Sequence, residues 1–396
     1  MSHEVVALTN VRLCRSGTLT DNEPLIFSPP TGLILPPSTD LSTATIIDLQ
    51  GAIVAPGFLE LQTNGLRGFH FTHFSNAATY AEKIDQVASY LPQTGVTGFW
   101  VTIPTVHSDE FRKILPSLHP RPIAGGASLL GAHAEGPYLH PSKKGAHNSS
   151  LFHQPFTPPT NIYGEAASSN ATLKLVTLAP ELEGTHHLIS SLTSNNIRVS
   201  LGHSTATYDQ GLAALHAGAT CLTHTLNAMP PLHHRDPGLA GLVTAPSDPY
   251  FSIIADGNHL HPSIATLLFR ANPAKCILIT DSIELAGLPD GTYPGHAQIP
   301  SAQTKTGTRV TVEGTETLVG GCASLAQCVR NLREWSGCGI ADAVRCVTEN
   351  VAGFMGEGSR GELVAGRRAD FVVLEEGGGG LGVRETWVGG RKVWEG

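Results

Sequence analysis

From Gly57 onward the chain alternates short apolar runs with amphipathic segments, and eight such runs are complete by Ser282. They are FLELQ, VTGFWVTIP, ASLLGAHAEGPYL, LKLVTLAPE, IRVSLGHS, ATCLTHTLNAM, YFSIIADG and KCILITDS. Apolar runs without alternation read as strands buried on both faces, and helices between them are the crossovers that a parallel sheet needs. Among the helices, TYAEKIDQVASYL opens on a Thr79/Glu82 capping box and SDEFRKILPSL is limited by Pro116. TYDQGLAALHAG carries a Thr207/Gln210 box and closes at Gly218. Eight strand–helix units in roughly 250–300 residues match a closed (β/α)8 TIM-like barrel.

The two ends of the chain read differently. EVVALTNVRLC, LIFSPP, GLILPP and TIIDLQGAIVAPG at the start, and GELVAGRRADFVVLEE and VRETWVGGRKVWEG at the end, are short strands punctuated by Gly and Pro. The glycine run Gly377 to Gly380 reads as a turn or tip. Strand-rich termini around an α/β middle predict residues 1–55 plus 360–396 as one small β domain and residues 56–359 as the barrel domain. The 396 residues suit that division.

Composition excludes several classes. Charged residues make up 15% and hydrophobic ones 41%, which is globular and not disordered. A net charge of −8 with no lysine or arginine cluster in the sequence argues against a nucleic-acid partner. No apolar run is long enough to span a membrane and no secretory leader is visible, so neither a membrane nor export is expected. Seven cysteines, an odd number without C-x-x-C spacing, read as reduced thiols in the cytoplasm. The 19 histidines raise the expectation of a metal enzyme without locating its site.

Barrel chemistry sits where strands end, at the C-terminal face. Strand one ends in Gln62 and Asn64, strand three in His133 and Glu135, and strand five in His203. Strand six ends in His224, strand seven in Asp256 and His259, and strand eight in Asp281. A carboxylate and two histidines on separate strands make a three-ligand set, the open geometry of a catalytic zinc. Asp281, after the apolar CILIT, is either a general acid/base or an N-cap. His147 in KKGAHN either polarises a carbonyl or faces solvent. In LNAMPPLHHRDPGLAGL, backbone N–H groups at Asn227 and Ala228 and the guanidinium of Arg235 suit a phosphate.

The ordered set HAEGPYL, KKGAHN, LGHS, THTLNAMPPL, RDPGLAG, IIADGNH and LITDS resembles the N-acetylglucosamine-6-phosphate deacetylase family of the amidohydrolase superfamily. The match runs from APGFLELQTNG to GELVAGRRADFVVL. This resemblance implies a (β/α)8 barrel with a small β-sandwich made from both termini. It implies Glu135, His203 and His224 as ligands of one divalent metal ion, for which zinc is the best fit. It implies Asp281 as catalytic acid/base, and Ala146 and His147 as a substrate-contacting pair with His147 polarising the acetamide. Asn227, Ala228 and Arg235 are implied as phosphate and sugar contacts, Asp256 and His259 as a further substrate segment, and Leu318, Val319 and Gly320 as a loop over the sugar. In that loop TLVGGCASL departs from the family's Gly-Ser step. The implied partners are a small sugar phosphate and a second copy of the chain, as a homodimer.

Two-metal superfamily members carry His-x-His on strand one and a modified lysine on strand four. Here those places read Gln62-x-Asn64 and TLAPE, so one metal is expected. Gln62 is expected beside the metal water or substrate, and Asn64 in support of the turn. An epimeric substrate, N-acetylgalactosamine 6-phosphate, and a non-catalytic barrel are the competing readings.

Overall fold

A computed structural model describes residues 4–21, 23–296, 298–377 and 380–396. The glycine turn expected at 377–380 falls partly outside them, at 378–379.

All eight predicted barrel strands form. They are Phe58–Thr63, Val96–Pro104, Ser128–Glu135, Leu173–Leu178, Arg198–Leu201, Cys221–Leu222, Tyr250–Ile254 and Cys276–Ile279. They pair in parallel and in sequence order. The sixth is far shorter than ATCLTHTLNAM suggested, because the chain turns at His224, Leu226 and Ala228, all with φ between +30° and +74°.

The first and last strands meet at the C-terminal end only. There the Asp281 N–H donates to the Gln62 carbonyl (2.9 Å) and the Asn64 N–H to the Ser282 carbonyl (2.8 Å). At the other end the Val347 and Cys346 carbonyls accept from the Leu59 and Leu278 N–H groups, so residues 346–347 satisfy the amides of a splayed seam. The barrel is therefore nearly closed, and its tightest edge is where the polar residues lie.

Inside, side chains stack in layers. Leu59, Leu61, Trp100, Leu130, Leu175, Ile277 and Ile279 fill the lower interior, plugged by Val351 and Phe354 of the helix Glu349–Met355. Above them runs a hydrogen-bonded hydroxyl layer. Thr102 meets His133 Nδ1 (3.2 Å), His133 Nε2 meets Thr177 (2.8 Å), Thr177 meets Thr223 (2.8 Å) and Thr223 meets Ser200 (2.6 Å). Such polar groups are tolerated in a barrel core because each finds a partner. Full burial pushes His133 down to about 4, so it stays neutral in this role. The outward strand faces pack under the helices, with Phe99, Val101, Ile103, Val176, Val199 and Phe251 in one continuous core.

The helices follow their signals with one correction. Helix Ala77–Tyr90 is capped by Asn76, whose side chain accepts from the Thr79 N–H, so the Thr79/Glu82 box lies inside the helix. The Thr207/Gln210 box forms on Tyr208–His216. Helix Ser108–Ile114 ends in a tighter turn through Pro116.

The termini pair as expected. Val6–Arg15 lies parallel to Thr45–Pro56, which pairs antiparallel with Phe371–Gly377 from the other end of the chain. With Thr18–Asp21, Leu25–Ser28, Leu33–Ile34, Gly380–Val388 and Arg391–Glu395 they make one mixed eight-stranded sheet. After the last barrel strand, Gly291–Tyr293, Gln303–Thr306, Arg309–Val312 and Leu318–Gly321 form a four-stranded antiparallel sheet. It rejoins the barrel through the bridge between Gly321 and Ser282.

Candidate active site

Glu135, His203 and His224 end three strands and converge. Glu135 Oε1 lies 2.9 Å from His224 Nε2 and 3.2 Å from His203 Nε2, and the two nitrogens are 3.0 Å apart. All three side chains are buried. Ligands at about 2.0–2.2 Å from one tetrahedral ion sit roughly 3.3 Å from each other, so this triangle is close to the spacing such an ion needs. The His203 Nδ1 faces the Lys143 carbonyl at 2.8 Å, which fixes the proton there and leaves Nε2 as a lone pair for the ion. Burial would raise the Glu135 carboxyl, but the three imidazoles around it outweigh burial and hold it well below its usual range. The site therefore presents one negative and two nitrogen donors, a set that fits a divalent cation.

By proximity alone His147 would also be a ligand, since donor atoms of Glu135, His147 and His203 all lie within 4.8 Å of one another. Its hydrogen bonds argue otherwise. The Thr105 N–H donates to His147 Nδ1 (3.2 Å), so the ring proton of the neutral form sits on Nε2, which faces Glu135 Oε2 at 3.7 Å. His147 thus offers a donor where His203 offers a lone pair. The loop that carries it is tied down on both sides. The His140 N–H donates to the His203 carbonyl, and Lys143 Nζ to the Met229 carbonyl.

Gln62 and Asn64 are the link to Asp281. Gln62 Nε2 donates to both Glu135 Oε1 (3.0 Å) and Asp281 Oδ1 (3.2 Å). Asn64 Nδ2 donates to the same Asp281 oxygen at 2.7 Å. Sequence reasoning missed this role of Asn64, which grips the carboxylate directly as well as shaping the turn. The period of two along the strand, which places Gln62 and Asn64 on one face, was the signal that could have found it. Asp281 is raised from its ordinary value, first by desolvation and then by the charge of Glu135, while Asn64 opposes the rise.

His203, His224, Leu226, Ala228 and Asp281 all take positive φ without being glycine. Each such residue costs about 1–3 kcal/mol, and the clustering of strain here is what a preorganised site shows. Two further supports hold the frame. Ser252 Oγ accepts the His224 N–H at 2.8 Å, and Glu181 takes the Ser204 and Thr205 hydroxyls just after His203.

The remaining predicted residues form the cleft with unequal completeness. Asp256 binds His259 Nδ1 at 2.8 Å and accepts the Asn258 and His259 N–H groups. Burial would raise the Asp256 carboxyl, but these bonds hold it below its usual range. The Asn227 N–H is already donated to the His224 carbonyl, so its free donor is the buried, unpartnered Nδ2 of the side chain. The Ala228 carbonyl accepts from Ser204 N–H. Ala146 is exposed beside His147. Leu318, Val319 and Gly320 lie on the last strand of the antiparallel sheet. Arg235 is exposed, and among the described residues its guanidinium bonds no site residue.

No family model matches the chain. Whole-length relatives do. N-acetylglucosamine-6-phosphate deacetylase of Caenorhabditis elegans is 36% identical over 408 residues, covering 100% of this chain and 96% of that protein. The Homo sapiens enzyme of the same name is 34% identical over 99% of this chain and 96% of its own length. The chain belongs to the N-acetylglucosamine-6-phosphate deacetylase family. Solved structures of that family agree. A Mycobacterium smegmatis deacetylase mutant in complex with N-acetyl-D-glucosamine-6-phosphate superposes with a TM-score of 0.84 at 27% identity, covering 99% of this chain and 100% of that one. The Thermotoga maritima enzyme gives a TM-score of 0.82 at 26% identity over the same shares.

Proposed function

We propose that this enzyme hydrolyses the acetamide of N-acetyl-D-glucosamine 6-phosphate to D-glucosamine 6-phosphate and acetate, a step of amino-sugar catabolism. The observation that carries the reading is the Gln62 amide shared between Glu135 and Asp281, which couples an ion-ready triad to a general acid/base. Kinship over the whole length with deacetylases names the substrate. A relative named N-acetylgalactosamine-6-phosphate deacetylase, from Escherichia coli O157:H7, is 32% identical over 88% of this chain, so the epimer is the second substrate to test.

Glu135, His203 and His224 would hold one divalent ion, with zinc the best match to one carboxylate and two imidazoles. When bound, such an ion supplies Lewis acidity to water and carbonyl oxygen. The chain's own residues do the rest. Asp281 takes a proton from the attacking water and returns it to the departing amine. His147 donates its Nε2–H to the carbonyl oxygen as negative charge develops there, commonly a large share of the rate. Asn227 Nδ2, Ala228, Arg235 and His259 grip the sugar phosphate, with Asp256 orienting His259. Ala146 contacts the substrate beside His147, and Leu318, Val319 and Gly320 close over the sugar. The phosphate supplies binding energy remote from the reacting bond.

We also assign residues 1–55 plus 360–396 to a β-sandwich domain and 56–359 to the barrel. Support comes from a separate apolar cluster in the terminal sheet, where Phe27, Phe371 and Trp387 pack ring against ring. A homodimer is part of the reading, because the exposed Arg235 needs a frame that a second copy would provide. Among the described residues no helix is long and apolar enough to cross a membrane. All seven cysteines are unpaired thiols, which supports a cytoplasmic enzyme.

The test is acetate release from the glucose and galactose epimers and from unphosphorylated N-acetylglucosamine. The phosphorylated glucose epimer should turn over fastest and the unphosphorylated sugar at least about 100-fold less efficiently. Equal efficiencies would remove the phosphate assignment. Asp281→Asn should keep a stoichiometric metal and lose turnover by about 100-fold or more. Elemental analysis should find one ion per chain, and two would overturn the reading of Gln62 and Asn64.

A further inference from the structure

A sizeable concavity lies apart from the active site. It is a cleft of about 380 Å³ at the N-terminal ends of the second to fifth barrel strands, against the segment 355–368. That size suits a small metabolite, since ligand pockets run from about 300 to 1,000 Å³. Its floor includes Trp100 and its walls carry Arg121, Lys174, Arg198, Arg360 and Arg368.

The charge balance of these walls is unusual for a chain of net charge −8. Arg121 pairs with Asp85, and Arg360 and Arg368 share the single carboxylate of Asp370 at 3.0 and 2.9 Å. Glu357 adds a distant contact to Arg360 at 3.9 Å. Lys174 donates only to the Asn170 carbonyl. Among the described residues Arg198 has no ion pair and no side-chain hydrogen bond. Five cations face three carboxylates, and two of the five have no carboxylate of their own. Partly burying cations costs free energy unless an anion joins them, and burial already lowers Lys174 from its ordinary value. The free guanidinium fork of Arg198 and the ammonium of Lys174 match phosphate oxygens.

We propose that this cleft is an anion site for a small metabolite bearing two or more phosphate charges, bound by Lys174 and Arg198 with Arg360 and Arg368 behind them. The cleft lies at the far end of the strand that delivers Glu135. Eight residues of strand Ser128–Glu135 put it roughly 20 Å from the reacting atoms. Its occupant is therefore an effector or structural ligand and not the substrate. The proposal stands independently of the deacetylase reading.

Trp100 provides the probe. Titration of the metal-loaded enzyme with fructose 1,6-bisphosphate should give a saturable change in tryptophan fluorescence. Inorganic phosphate should compete more weakly. Arg235→Ala, which alters the proposed catalytic phosphate contact, should leave that change intact. Lys174→Ala/Arg198→Ala should weaken it about tenfold or more, and Arg198→Gln alone should weaken it measurably with an unchanged melting temperature. No saturable change, or a change that Arg235→Ala abolishes and the double variant preserves, would overturn the proposal.

Discussion

Asp281 keeps its carboxyl between two amides, and the shorter of the two bonds comes from Asn64 at 2.7 Å. Neutral amides suit this place because they orient a carboxylate without locking it in a salt bridge that would end its basicity. Asn64→Ala should lower kcat about tenfold or more with KM little changed, since it loosens the acid/base and spares the substrate contacts. The sign of the pH effect follows. The Asn64 bond lowers the Asp281 carboxyl, so losing it lets desolvation raise that group further. The ionised base then appears only at higher pH, and the acid limb of the kcat profile should move up. An unmoved limb with full turnover would reduce Asn64 to a turn residue. This residue-level logic was only half legible in the sequence. Strand periodicity put both amides on one face, but which partner each would meet depends on the seam between the first and last strands. The histidines show the same limit. Strand-end position named His203 and the family resemblance named His147, while their opposite tautomers come from the Thr105 N–H and the Lys143 carbonyl, brought from elsewhere.

Among the elements, strand Leu318–Gly321 runs so close to its neighbours that two of its positions have room only for glycine. A Cβ at Gly321 would lie 2.7 Å from Asp256 Oδ2 and 3.3 Å from His259 Cε1, and one at Gly320 would lie 2.7 Å from Ile283 Cγ2. The strand is drawn this close by the Ser282–Gly321 bridge. Gly321→Ala should therefore displace the Asp256–His259 pair and raise KM severalfold, with a stability loss of about 1–3 kcal/mol from overpacking. A KM unchanged in a stable variant would detach this strand from the substrate segment. Sequence periodicity announced the barrel strands because they are buried on both faces and read as apolar runs. It did not announce the antiparallel sheet of residues 291–321, whose strands are short, polar and half exposed. It also misplaced one helix start, because Asn76 and Thr79 are both good caps and the helix begins at the earlier one.

Over the whole molecule, charge is arranged by folding and not by composition. The basic cleft was invisible in the sequence because its cations come from distant segments, and no stretch of chain is itself basic. The same applies to a second assembly near the barrel mouth, where the rings of His70, His73 and His296 lie 5.0–5.3 Å apart and Glu284 lies 3.2 Å from His296. Burial pushes His70 down to about 3. A histidine with a depressed folded pKa stays neutral in the native state while the unfolded chain takes up a proton. Its contribution is full above about pH 6.5 and falls by about 1.4 kcal/mol for each pH unit below that, until the folded group itself titrates. Glu284 acts in the same direction. Burial would raise it, the bond to His296 holds it below its usual range, and the stability it gives is lost as pH falls through that folded value. His296 has the opposite sign, since Glu284 raises it despite burial. Its share is present at low pH and lost as pH rises through its folded value. His70 and Glu284 share a sign but not a window, so the enzyme should lose stability between pH 6 and 4 through His70, with Glu284 adding to the loss below about pH 4.5. His70→Gln removes the titrating ring and should flatten that slope in thermal melts by about 1 kcal/mol per pH unit. An identical slope in the variant would mean that His70 is already protonated in the folded enzyme.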